Sequence, residues 1–333
     1  EILNGKVNPS AKASDTFVRD LTATPTYNNF GYFKYDNMDE FVTDEGEVSF
    51  VNYTDGIYVG YRFWETAAEE GLINYEEHVQ YPFGYGLSYT QFEQEMGEVT
   101  VADGNISVDV TITNTGDTAG KDVAEVYYNP PYTNGGIEKS SVNLAGFAKT
   151  KVLEPGESET VNVSFTVEDM ASYDDLGRIA KSAYVLEKGI YEIYVGNSVR
   201  DAEKADFTIT VETDEVVCQL TQKAAPTSLK KRMLSDGSFE ELPLSEANDP
   251  NECVLEKMTP GTEEALVPEI KARGRYLLMN PYGEGVRPLL DVAEGKMTIE
   301  EFMGQLGEDE LIGLLGGQPN TSVANTFGYG NLP

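Results

Sequence analysis

Ile106-Ser-Val-Asp-Val-Thr-Ile-Thr113 alternates apolar and polar residues with a period of two. That is the pattern of a strand with one buried face. Glu159-Thr-Val-Asn-Val-Ser-Phe-Thr-Val167 repeats it. Asp122–Tyr128, Val142–Leu153, Ile190–Val195 and Asp206–Glu212 add further strand-like runs. Between them stand turn signals. Asn114-Thr-Gly-Asp117 and Glu154-Pro-Gly-Glu157 place Gly and Pro where a β-turn accepts them, and Glu187-Lys-Gly189 does the same. Seven or so short strands at this spacing over residues 92–212 predict an antiparallel β-sandwich of immunoglobulin type. The chain has no Cys…Trp…Cys pattern, so the fibronectin-III-like variant describes it better.

The flanks differ. Residues 1–90 are irregular and rich in Asn, Tyr and Phe. There, 34–48 reads as an acidic exposed loop and Val48–Tyr53 as a strand. Asp55-Gly56 reads as a turn into Ile57–Trp64, followed by a helix-leaning Glu65–Glu70 that stops at Gly71. Tyr81-Pro-Phe-Gly-Tyr-Gly-Leu-Ser-Tyr-Thr-Gln-Phe92 is too dense in aromatics for a solvated linker. Its glycines permit an aromatic-lined corner, and it reads as a hinge between two domains. Residues 213–288 are punctuated by seven prolines and read as an extended connector, with a small hairpin turn at Leu234–Phe239 and a short helix within 262–278. Beyond it, Thr298-Ile-Glu-Glu301 is a capping box opening a helical stretch to Gly316-Gly317, which acts as the stop.

Composition narrows the function classes. The 333 residues suffice for two or three domains. Lys plus Arg number 24 against 57 Asp plus Glu, a net charge of −33. That charge repels phosphate backbones and anionic membranes, so neither nucleic acid nor membrane is expected as a partner. Cys218 and Cys253 are the only cysteines, too few for a disulfide framework, and they point to a reducing, cytoplasmic location. No run approaches the roughly 18 apolar residues of a membrane span.

Candidate chemistry is sparse. His78 is the single histidine, beside Glu76 and Glu77, and reads as a solvated side chain, not a catalytic base. No phosphate-cradling glycine motif is present. Gly283-Glu-Gly285 and Gly328-Tyr-Gly330 are too short to carry meaning. Pairing two of the many carboxylates without geometry would be arbitrary. No metal, cofactor or catalytic residue is assigned.

A resemblance goes further. Asn4-Gly-Lys-Val-Asn-Pro-Ser10 resembles the G-x-x-N-P-S segment near the end of the α/β-sandwich domain of glycoside hydrolase family 3, although Ala11 replaces the usual Gly. Tyr53-Thr-Asp-Gly-Ile-Tyr-Val-Gly-Tyr-Arg-Phe-Trp64 resembles that family's Y-x-E-G-I-x-V-G-Y-R segment, with Asp55 for the commoner Glu. Tyr81–Phe92 resembles its F-P-F-G-Y-G-L-S-Y-T-x-F segment. Asn114–Tyr127, Leu144–Lys149 and Leu153–Glu157 resemble its fibronectin-III-like domain. Met297–Glu301, Leu311–Gly317 and Asn325–Pro333 resemble the opening of its catalytic (β/α)8 barrel.

The resemblance implies a mainly β chain: a fibronectin-III/immunoglobulin-like β-sandwich flanked by the tail of an α/β-sandwich domain and the helical start of a (β/α)8 barrel. The expected parts are 1–90, the end of the α/β-sandwich domain; 91–213, the β-sandwich; 214–288, the proline-rich connector; and 289–333, an incomplete barrel. A barrel after the sandwich matches the circularly permuted members. The implied activity is that of a retaining exo-acting β-glucosidase, with an Asp nucleophile in a Ser-Asp-Trp context and a Glu acid/base. The only Trp, Trp64, follows Phe63, and Ser235-Asp236 is followed by Gly237. The acid/base Glu is expected before Glu1 and the sugar-binding Asp after Pro333. The chain therefore reads as a fragment that is inactive alone. Expected partners are β-linked glucosides or short oligosaccharides, the remaining domains of the same polypeptide, and further copies in a homo-oligomer. The alternatives are a non-catalytic carbohydrate-binding or scaffold module, and β-xylosides as substrate.

Overall fold

The computed structural model describes residues 1–29, 33–34, 49–221, 229–243, 290–293 and 295–304. They fall into two units, 1–29 with 34–261 and 30–33 with 262–333.

In the N-terminal part lie β1 (Phe17–Val18), β2 (Phe33–Lys34), β3 (Ser49–Phe50), α1 (Tyr61–Glu69), α2 (Tyr75–His78) and β4 (Val79–Tyr81). The strand expected over Val48–Tyr53 is thus reduced to two residues. Helix α1 begins four residues earlier than the pattern suggested, and its Trp64, Glu65, Thr66 and Ala67 are buried. Aromatic Tyr61, Phe63 and Trp64 are modest helix formers, so packing, not propensity, sets this start. Gly71 ends it as expected. With φ +71, Gly71 donates to Ala68 O (3.1 Å) and Leu72 to Ala67 O (2.8 Å), the paired bonds of a Schellman stop.

The sandwich comprises β5 (Phe92–Ala102), β6 (Asn105–Asn114), β7 (Val123–Asn129), β8 (Asn143–Lys149), β9 (Ser158–Thr166), β10 (Ser172–Asp174), β11 (Ala183–Leu186), β12 (Gly189–Gly196), β13 (Glu203–Val211) and β14 (Glu215–Gln219). One sheet runs β5-β6-β9 and the facing sheet β13-β12-β7-β8, all antiparallel. This three-on-four arrangement is the fibronectin type III form of the immunoglobulin-like sandwich. Alternation delivers the core as the sequence promised. Ile106, Val108, Val110 and Ile112 of β6 are fully buried and meet Val161, Val163 and Phe165 of β9 and Tyr191, Ile193 and Val195 of β12 in one cluster. Each such side chain is worth roughly 1.5–3 kcal/mol relative to exposure.

A third sheet, β10-β11-β14, was not expected. Its strands are three to five residues long, too short to show a period. It places a strand at the head of the proline-rich stretch. Beside it, Asp174 closes a loop by accepting from the backbone N–H groups of Gly177, Arg178, Ile179 and Ala180 at 2.7–2.9 Å. Further on, β15 (Lys231–Met233) and β16 (Phe239–Glu241) form the anticipated hairpin. It is tied to the sandwich unit by Arg232, which pairs with Glu240 and with Asp175 at 2.7 Å, and by Met233 N donating to Thr54 O at 2.7 Å.

In the second unit, α3 (Leu290–Ala293) and α4 (Ile299–Met303) are helical. The capping box is made in both directions: Glu301 N donates to Thr298 Oγ1 (3.1 Å) and Thr298 N to Glu301 Oε2 (2.8 Å). The helix proposed within 262–278, residues 35–48 of the expected acidic loop and both short Gly-x-Gly motifs lie outside the described residues, while Lys34 belongs to β2.

Candidate functional site: the seam on the outer face of the sandwich

β7 is buried along five consecutive residues, Val123 to Tyr127. Ala124 and Val126 belong to the sandwich core. Val123, Glu125 and Tyr127 therefore point to the other face, and the N-terminal part of the chain covers them. The aromatic corner is what lies there. Phe83 packs on Tyr61 of α1 with ring centroids 4.6 Å apart, and Tyr127 meets both rings edge-on at 6.4 and 6.5 Å. Tyr61 also accepts at its hydroxyl from Leu144 N of β8 (3.0 Å).

Gly84 is a point of close approach. Its φ is +82, and a Cβ there would lie 2.7 Å from Ser198 Cα and against the Glu125 carboxylate. The backbone around it bonds in both directions. Gly84 N donates to Ala13 O (2.8 Å), Ala13 N to Tyr85 O (2.7 Å) and Val199 N to Phe83 O (3.1 Å). The corner anticipated as a hinge is thus clamped on two sides.

Glu125 is 5% exposed, and Tyr127 donates its hydroxyl to Glu125 Oε2. Burial raises the carboxyl's pKa, against the opposing pull of the Tyr127 hydrogen bond and the Lys12 charge. Lys12 itself pairs with Asp122 at 3.2 Å, and Gln94 Nε2 donates to Asp122 Oδ2 at 2.8 Å.

Two asparagines complete the seam. Asn8 accepts at Oδ1 from Tyr89 N (2.8 Å) and Ser88 Oγ (3.0 Å), and donates from Nδ2 to Ala119 O (3.0 Å). Asn114, fully buried, accepts from Thr90 Oγ1 (2.7 Å) and donates to Leu153 O (2.9 Å) and Thr118 O (2.8 Å). The Asn-Pro-Ser segment, the corner and the turns of the sandwich therefore share one hydrogen-bond system. A second node lies at Glu138, which accepts from Tyr58 (2.6 Å) and Tyr132 (3.1 Å).

The arrangement positions segments and brings no nucleophile to a base. His78 is partly exposed: its ring lies 6.0 Å from that of Trp64 and its Nδ1 is 2.9 Å from Asn74 O. Asp236 sits in the β15–β16 turn, accepting from Ser238 N (2.9 Å) and Asn134 Nδ2 (2.8 Å). Cys218 is an exposed free thiol. Among the described residues no group of three His, Cys, Asp or Glu could hold a metal ion. Sequence reasoning missed Glu125, Asn8 and Asn114 as seam residues. Glu125, a lone carboxylate inside an apolar run, was the available signal.

Fold and seam define the class: a fibronectin type III-like sandwich docked through its outer face to the segment that precedes it. A fibronectin type III-like domain model matches residues 122–199. Beta-glucosidase A of Butyrivibrio fibrisolvens is 42% identical over the whole chain, which spans 40% of that protein. A beta-glucosidase of Ruminococcus albus is 35% identical over 98% of the chain, corresponding to 30% of its own length. Among solved structures, a beta-glucosidase from Paenibacillus barengoltzii superposes with a TM-score of 0.61 at 33% identity, covering 96% of this chain and 32% of that one. Beta-glucosidase 3B from Thermotoga neapolitana, in complex with α-D-glucose, gives 0.51 at 35% identity, with 65% and 26% covered. Along its whole length the chain is similar to beta-glucosidases, in line with the resemblance to glycoside hydrolase family 3, and it spans less than half the length of these relatives.

Proposed function

We propose that the chain is the sandwich-bearing part of a retaining, exo-acting β-glucosidase that releases terminal β-D-glucosyl residues from glycosides or short oligosaccharides. The observation that carries this reading is the 42% identity with a beta-glucosidase along the entire chain. The α-D-glucose bound by the Thermotoga neapolitana relative supports a glucosyl ligand. The residues 1–90, 91–213, 214–288 and 289–333 are taken as sandwich-domain tail, β-sandwich, connector and barrel start.

Coverage supports the permuted order. The relatives from Butyrivibrio and Ruminococcus match 98–100% of the chain, whereas beta-glucosidase B of Emericella nidulans matches 60%. A connector followed by a barrel, present in some members only, would divide the relatives in this way.

In this reading the seam is a positioning device. It fixes the end of the α/β-sandwich domain, which would bear the acid/base Glu, on a rigid β-sandwich. Purified residues 1–333 should not hydrolyse a chromogenic β-glucoside, whereas a polypeptide that includes the remaining domains should. Turnover by 1–333 alone, or a complete polypeptide that cleaves β-xylosides but not β-glucosides, would overturn the assignment.

A further inference from the structure

We propose that Asn134 is a site of spontaneous covalent modification, converting to aspartate and isoaspartate and loosening the β15–β16 hairpin. The turn Thr133-Asn-Gly-Gly136 is closed by Gly136 N donating to Thr133 O at 2.9 Å. Asn134 is exposed. Gly135 sits at φ +81 with nothing within 4 Å of where a Cβ would be, and its N–H donates to no group among the described residues. That amide nitrogen is unhindered and free to attack.

In the reaction the Gly135 nitrogen adds to Asn134 Cγ and loses its proton, and Nδ2 leaves as ammonia. Water then opens the five-membered imide at either carbonyl. One side-chain amide and one water become one carboxylic acid and one ammonia, so no oxidant or cofactor is required.

The chain's other Asn-Gly pair and the Asp-Gly pair of the hairpin supply the contrast. At Asn4-Gly5, the Gly5 nitrogen already donates to Ile2 O at 2.9 Å. At Asp236-Gly237, the Gly237 nitrogen donates to Leu234 O at 3.0 Å. Those nitrogens must first surrender a hydrogen bond.

The consequence follows from the partner. Asn134 Nδ2 donates to Asp236 Oδ2 at 2.8 Å. Conversion removes that donor and sets one carboxylate against another, in a chain already at −33. The hairpin keeps its Thr54 and Arg232 anchors, so its turn should open while the hairpin stays attached.

The test is ageing of the intact chain at mildly alkaline pH, with peptide mass spectrometry and amide hydrogen exchange. Asn134 should convert ahead of Asn4, and exchange over 234–238 should accelerate several-fold in aged protein and in Asn134→Asp. The double variant N134D/D236N should return to the unaged rate. If Asn4 converts first, or Asn134 persists while a free peptide of the same turn sequence converts, the site is wrong. If Asn134→Asp leaves exchange over 234–238 unchanged, the coupling to the hairpin is wrong.

Discussion

Gly84 is one of the seam's tight points, and Gly84→Ala measures how much of the chain's stability depends on it. Two costs are separable. An L-residue in the left-handed region costs about 1–2 kcal/mol. The added Cβ would also lie 2.7 Å from Ser198 Cα, and backbone, unlike the tip of a side chain, cannot swing aside; overpacking of this kind costs about 1–3 kcal/mol. Together they predict a loss of about 2–5 kcal/mol, a drop in Tm of about 5–15 °C for a unit of this size. Gly156→Ala is the control, because Gly156 has φ +80 and nothing within 4 Å of its Cβ position. It should lose only the backbone cost, about 1–2 kcal/mol. Thermal and denaturant unfolding of both variants, followed by circular dichroism, gives the difference. Amide exchange at Val199, whose N–H donates to Phe83 O at 3.1 Å, localises it. Equal losses in the two variants would show that the corner does not press on the sandwich, and the seam as described would be wrong.

Asn114→Ala should cost about 1–3 kcal/mol by chemical denaturation, since it removes the partner of the Thr118 carbonyl and of the Thr90 hydroxyl, while Leu153 O keeps its bond from Gly120 N at 3.1 Å; a loss under about 1 kcal/mol would mean that water replaces the amide. Two carboxyls should give pH dependences of opposite sign. Glu125 is raised by burial, with Lys12 and Tyr127 opposing and Asp122 adding to it. Its contribution is complete below the unfolded carboxyl value near ~4.3 and is lost as pH rises through the folded value. Glu125→Gln should therefore flatten the decline in stability on that side, and a curve parallel to the parent would refute the assignment. For Asp174, burial pushes upward but the backbone amides of Ile179, Arg178, Ala180 and Gly177 outweigh it and hold the pKa down. Its contribution is complete above the unfolded value near ~3.9 and is lost as pH falls through the folded one, so Asp174→Asn should lose the acid limb of the stability profile.

The sandwich was legible because its strands obey a period of two wherever one face meets solvent. β6 and β9 read correctly nearly to the residue, since Ile106, Val108, Val110 and Ile112 alternate with polar neighbours. β7 was found, but not its second buried face. Its run Val-Ala-Glu-Val-Tyr is buried on both faces, and alternation cannot say what covers a second face. Helix α1 was placed late because Tyr61, Phe63 and Trp64 look strand-like locally, while burial of Trp64 against Tyr75 and Val79 decides the matter. The strands β10, β11 and β14 left no signal, since three to five residues are too few to reveal a period. The sequence does not show that Trp64 lies beside the His78 ring.

The family motifs gain a physical meaning from where they converge. Asn8 of the Asn-Pro-Ser segment bonds Ser88 and Tyr89 of the corner, 80 and 81 residues away. The corner's Thr90 bonds Asn114 at the start of the next motif. Lys149, at the end of Leu-Ala-Gly-Phe-Ala-Lys149, donates to Ser10 O at 2.7 Å. Each of these stretches supplies a donor, an acceptor or a missing Cβ that another stretch requires. Gly84 has no room for a side chain, Asn8 must both accept and donate, and Asn114, itself fully buried, must accept from Thr90 and donate to two carbonyls. A freely moving hinge would impose none of these demands. The aromatic corner is therefore a packing element, and its chemistry is that of a joint held shut.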